Sequence, residues 1–120
     1  MHYGVFYNNA PWIHVTMFWN GIVKPFWFIV DTGFTGGLQL PKSIADELGL
    51  PVIAVDKVKI ANGAIIDTPV SNVVVNLNGK TIVTGVIISE NGDPLLGIRF
   101  LKDMELVMTI NPANNIVIFN

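Results

Sequence analysis

Apolar residues in this chain fall mostly in short β-branched and aromatic runs, punctuated by Asn-Gly pairs and by Asn/Pro clusters. Strands need this alternation, and tight hairpins need residues that accept positive φ. The pattern predicts a strand from Trp12 to Trp19 and a hairpin partner from Ile22 to Val30, joined at Asn20-Gly21. Pro25 inside the second run marks an edge or a bulge, because proline has no N–H for a central ladder. A short strand follows at Val52 to Val55. Val58 to Ile60 and Ile65 to Thr68 flank Asn62-Gly63, and Val70 to Leu77 and Thr81 to Ser89 flank Asn78-Gly79. The three Asn-Gly pairs predict type I′ turns. Leu106 to Ile110 and Ile116 to Phe119 close the chain around a turn at Asn111 to Asn115.

Helical signals are few. Pro41 to Gly49 carries proline at its start, acids inside and glycine past its end, with Ile44, Leu48 and Ala45 on one side. Ile98 to Asp103 supports a shorter helix. Strands spaced at 8–12 residues with turns between them predict a mainly β fold, a barrel or sandwich, with one or two short helices. A weak internal repeat is visible: an apolar strand, then glycine, then a helix, once through Phe26 to Val30 and again through Val83 to Gly97.

Composition narrows the picture. The chain has 120 residues with no linker or low-complexity tract, which predicts one domain over 1–120. Apolar residues make up 51% and charged ones 13%, against about 25% charged in an average protein. Disorder is excluded, and part of the apolar surface is expected to be an interface. A formal charge of −2 with a single arginine argues against nucleic acid. The absence of cysteine removes disulfides and thiolate chemistry. No apolar run is long enough for a membrane-spanning helix, and Met1-His2-Tyr3-Gly4 does not resemble a signal peptide. The expectation is a cytoplasmic protein that binds neither membrane nor nucleic acid.

The sharpest chemical feature is Val30-Asp31-Thr32-Gly33, a carboxylate at the end of an apolar strand. Burying such a group is costly unless it is paired or hydrogen-bonded. Gly33 permits close backbone approach, and Thr32 supplies a hydroxyl. A plain turn is the alternative reading, since Asp and Gly are common turn residues. Other constellations fail. His2 and His14 are not at metal-ligand spacing, so no metal or cofactor is expected, and no Gly-x-Ser-x-Gly or phosphate loop is present.

The run Val30-Asp31-Thr32-Gly33-Phe34-Thr35-Gly36-Gly37, then Leu38-Gln39-Leu40-Pro41 and a helix, resembles the active-site loop of retropepsin-like aspartic proteases. More narrowly, it is similar to their small single-domain archaeal and bacterial relatives. Asp93 to Leu101, with Leu95-Leu96-Gly97 before a helix, resembles the second signature of that family. The resemblance runs from about residue 12 to 119 and implies a closed acid-protease barrel. It also implies a C2 homodimer, because one chain carries one Asp-Thr-Gly and the chemistry uses two facing aspartates. Two such carboxylates share a proton; one activates water and the other protonates the scissile carbonyl of an extended polypeptide.

By this resemblance Asp31, Thr32 and Gly33 are catalytic: the Thr32 hydroxyls interlock across the dimer, and the Gly33 N–H supports the carboxylate. Ala61, Asn62, Gly63 and Ala64 fall where the family has its flap, although the same residues also suit an ordinary surface hairpin. Phe34, Leu96 and Gly97, with Ile65 and Ile66 nearby, are expected at the substrate pocket. Phe34 departs from the family, which carries a small or hydroxylated residue there; a ring narrows the site or alters the titration of the pair. That departure keeps a second reading open, a catalytically silent dimerisation or peptide-binding module on the same fold. Arg99 departs too, and either pairs with Asp103 or helps hold the dimer. Tyr3, Phe6 and Tyr7 either add a strand at the dimer interface or cover the core.

Overall fold

A computed structural model describes residues 1–59 and 61–120. Among the described residues eleven strands run in chain order: β1 (His2–Tyr3), β2 (Val5–Tyr7), β3 (Ala10–Trp19), β4 (Ile22–Val30), β5 (Leu38–Pro41), β6 (Ala54–Lys59), β7 (Ile65–Leu77), β8 (Lys80–Ser89), β9 (Leu95–Leu96), β10 (Met108–Asn111) and β11 (Ile116–Phe119). Helix α1 (Lys42–Leu48) follows β5, and α2 (Ile98–Asp103) follows β9. A 3-10 turn, Pro112–Asn114, links the last two strands.

The larger sheet has the order β2-β3-β4-β9-β5-β8-β7-β6, and β3 also pairs with β7. That extra pairing closes a ring, so the fold is a mainly β closed barrel with two short helices, as the resemblance implied. A smaller sheet, β1-β11-β10, lies beside it. Alternation along β3 buries Ile13, Val15 and Met17, and β7 and β8 add Val73, Val75 and Val86. Phe28, Leu38, Leu40, Leu48, Leu96, Phe100 and Phe119 fill the rest of the core. Each such side chain contributes about 1.5–3 kcal/mol by leaving water.

The internal repeat is real and has a structural meaning. Strand β4 runs parallel to β9, β8 runs parallel to β5, and β5 and β9 pair antiparallel. Each half of the chain thus places its long strand against the other half's short strand.

Most hairpin expectations hold. Asn20 and Gly21 have φ of 49° and 81°, and Asn78 and Gly79 have 54° and 82°, as type I′ turns require. At Asn62-Gly63 only the glycine is in the left-handed region (φ 87°). Lys59 pairs with Ile65, a register that does not centre on a two-residue Asn62-Gly63 turn, and the Asn62 side-chain oxygen accepts the Ala64 N–H at 2.9 Å. A further two-residue turn lies at Asn8-Asn9 (φ 51° and 59°), joining β2 to β3.

Several boundaries differ. The expected strands at Val52–Val55 and 58–60 are one strand, Ala54–Lys59; Ile60 itself lies outside the described residues. The expected break at Pro69 is absent, because β8 pairs with β7 only from Val70 onward, leaving Pro69 beside β6 alone. Pro25 sits on β4 without a bulge, paired with Thr16, in the stretch where β9 has not yet joined. The last hairpin begins at Met108 rather than Leu106, although Val107 exchanges two hydrogen bonds with Asn120.

Helix α1 stops at Gly49, whose φ of 70° lets its N–H reach back to Ala45 and Asp46. A side chain there would meet nothing within 4 Å, so only backbone strain opposes it. Gly49→Ala is expected to lower stability by about 1 kcal/mol, read by denaturant unfolding.

Candidate active site

Strand β4 delivers Asp31 at its C-terminal end, and two neighbours fix it there. The Asp31 N–H donates to the Leu96 carbonyl at 3.0 Å, and the Ile29 N–H to that of Pro94 at 2.9 Å. Asp31 is therefore held by the second half of the chain. Its side-chain Oδ1 accepts the Gly33 N–H at 2.9 Å, and its carbonyl accepts the Phe34 N–H at 3.1 Å. A carboxylate accepting a backbone N–H is stabilised and held in one orientation. Asp31 is half-buried, while Thr32 and Gly33 beside it are exposed.

The loop after Asp31 is clamped to α2. Phe34 and Gly36 accept from the N–H groups of Ile98 and Arg99 at 2.9 and 3.2 Å, and Gly97 donates to Gly37 at 2.8 Å. Gly97 makes this contact possible: a Cβ there would overlap the Gly36 carbonyl oxygen and stand 2.6 Å from that of Phe34. Arg99 closes the helix end with its Nε 3.1 Å from both Asp103 oxygens. Leu96 and Gly97 are buried. The parallel β4–β9 pairing puts them beneath the loop as its supports, and neither lines the clefts on either side of it.

Two clefts flank this loop. One, about 490 Å³, has Asp31 and Thr32 on its wall with Asp93, Ile29, Leu95 and Met108. The other, about 820 Å³, lies between α1 and the β6–β7 hairpin and is lined by Phe34, Val58, Ile66 and Ile87 among others. At its polar end Lys42 bonds Asp46 at 2.7 Å. That hydrogen bond, and then the charge of the same carboxylate, holds the lysine above its ordinary value.

Phe34 and Asp31 thus face different clefts. The Phe34 ring lies across Gly36, where an added Cβ would stand 2.6 Å from its Cζ, and its edge abuts Gly97. Two glycines make a slot that takes the ring away from the carboxylate. The exposed tip residues Ala61, Asn62, Gly63 and Ala64 line neither cleft, whereas Val58 and Ile66 lower on the same hairpin line the larger one. Ile65, also exposed, stays outside both. Asp93 opens the segment that resembles the second signature, but neither that likeness nor its Asp-Pro dipeptide, a turn signal, gave its side chain a role.

His14 and His2 have structural surroundings. The His14 ring packs 4.9 Å from that of Trp27, and His2 Nε2 lies 3.1 Å from the His14 carbonyl oxygen. The N-terminal aromatics lie on strands: β2 extends the larger sheet beside β3, and β1 pairs with β11, with Tyr3 and Tyr7 exposed.

A ring of strands closed around an Asp-Thr-Gly loop, braced by a second apolar-apolar-Gly segment, is the architecture of retropepsin-like acid proteases. The structure is similar to that of EIAV protease complexed with the inhibitor HBY-793, with a TM-score of 0.62 and 18% identity, over 87% of this chain and 96% of that one. It is also similar to a retropepsin-like aspartic protease from Rickettsia conorii, with a TM-score of 0.67 and 19% identity, over 95% of this chain and 84% of that one. No curated protein sequence matches. The family model described as aspartyl protease matches residues 14–100, and the chain belongs to that family.

Proposed function

We propose that the protein is an aspartic endopeptidase that works as a homodimer. The observation that carries this reading is the Asp31 carboxylate, oriented by the Gly33 N–H at 2.9 Å on the wall of a cleft. One chain supplies one such group, so the second comes from Asp31 of another copy across a two-fold axis. Facing carboxylates resist double ionisation and hold one proton between them. The ionised member takes a proton from water as that water attacks the peptide carbonyl. The protonated member donates to the carbonyl oxygen, and the tetrahedral species then expels the amine.

In this reading Thr32, exposed beside Asp31, meets its own symmetry mate, and the β6–β7 hairpin closes over substrate as a flap. An extended polypeptide would lie between them, partly held by main-chain hydrogen bonds. The test is hydrolysis of an unfolded protein between about pH 3 and 7, with sedimentation run on the same sample. Cleavage by a dimer supports the proposal. A strict monomer at micromolar concentration, or a folded dimer without cleavage, sinks it.

The silent-module reading rested on Phe34 blocking the site. The ring's position in the Gly36–Gly97 slot favours the enzyme instead. Phe34→Ala is therefore expected to raise kcat/KM by no more than about twofold. A rise of tenfold or more, about 1.4 kcal/mol, would mean that the ring obstructs the site.

A further inference from the structure

We infer that Asp93 selects a cationic side chain, lysine or arginine, in the substrate residue beside the cleaved bond. The inference rests on the protease reading above and adds a substrate class to it. Asp93 shares the Asp31 cleft, and these two carboxylates are the only charged groups among its lining residues. The rest of the wall mixes the uncharged polar Asn9 and Thr32 with apolar side chains, among them Ile29, Leu95, Met108 and Ile110. Asp31 is engaged by Gly33, whereas Asp93 forms no ion pair among the described residues.

The backbone fixes where Asp93 stands. Its carbonyl accepts the Gln39 side-chain N–H at 3.0 Å, and that of the next residue, Pro94, accepts the Ile29 N–H at 2.9 Å. Asp93 is thus tied to β5 directly and, through Pro94, to β4 two residues before Asp31. A cleft with apolar side chains on part of its wall and an uncommitted carboxylate on another complements a side chain with an apolar stem and a cationic head. A neutral aliphatic residue would satisfy the walls and leave the carboxylate unpaired. An acidic one would meet like charge twice. In a symmetric dimer the same cleft occurs on both sides of the paired aspartates, so the preference applies to either side of the bond.

The experiment uses three peptides identical except for lysine, norleucine or glutamate beside the scissile bond. They are compared by kcat/KM on the wild type, Asp93→Asn and Asp93→Lys. The wild type is expected to prefer lysine to norleucine by about fivefold, the upper end for an ion pair between exposed partners, and less at high salt. Asp93→Asn is expected to bring the ratio to about one, and Asp93→Lys to favour glutamate. Wild-type indifference between lysine and norleucine, or a ratio that Asp93→Asn does not move, overturns the inference.

Equilibrium binding of the same peptides to Asp31→Asn and to Asp31→Asn/Asp93→Asn separates this inference from the protease reading. A lysine preference in binding that the second substitution abolishes, without turnover by the wild type, sinks the protease reading and supports selection by Asp93. Absence of peptide binding, or binding without preference, overturns selection whatever the activity.

Discussion

Asp31→Asn is expected to leave a folded dimer that hydrolyses peptide bonds at least about a thousandfold more slowly than the wild type. The substitution is nearly isosteric, and the amide oxygen can still accept the Gly33 N–H at the position Oδ1 now holds. The backbone bond from Asp31 to Leu96 does not involve the side chain, so the loop should keep its shape. What disappears is the acid–base chemistry, since an amide neither takes a proton from water nor donates one as a carboxylic acid does. In a homodimer one codon change removes both members of the pair, leaving no partner to sustain a slower route. The comparison is made by progress curves on one unfolded substrate, with matched circular dichroism and sedimentation. Undiminished cleavage by the variant would assign the activity elsewhere.

Gly97→Ala is the second large expectation. The added Cβ would overlap the Gly36 carbonyl, approach that of Phe34 to 2.6 Å and press on the Phe34 ring at 2.8 Å. The atoms in its way are largely backbone and cannot rotate aside. The loop and α2 must therefore separate, at a cost of about 2–3 kcal/mol and with loss of the bonds that position the Asp31 loop. Thermal unfolding should fall by about 10 °C, and activity should fall with it even where the protein remains folded. Gly85→Ala is the control, because a Cβ on that glycine meets nothing within 4 Å. Equal effects at the two positions would mean that Gly97 is not the tight point of the site.

The sequence was most informative where structure is local. The β3–β4 and β7–β8 hairpins were legible because alternation and Asn-Gly turns act between neighbours. Asp31 was legible as a carboxylate where an apolar strand ends. Strands β5 and β9 were not, because they are short and are made strands by parallel partners far along the chain. The same long-range pairing buried Leu96 and Gly97, whose motif suggested a place in the pocket. For β1 and β2 a strand was only one of two readings, because Tyr3 and Tyr7 face solvent and the turn from β2 to β3 is Asn-Asn rather than Asn-Gly. Asp93 gained its meaning only when β9 placed it in the cleft of Asp31.

The bonds from Asp31 to Leu96 and from Phe34, Gly36 and Gly37 to residues 97–99 have a consequence for the order of events during synthesis. The loop bearing the carboxylate leaves the ribosome well before the segment that braces it. Until Pro94 through Arg99 have emerged and docked, Asp31 has neither its strand partner nor its clamped loop. A nascent chain therefore carries an Asp31 loop without its brace. The loop takes its final shape only after translation has passed residue 99.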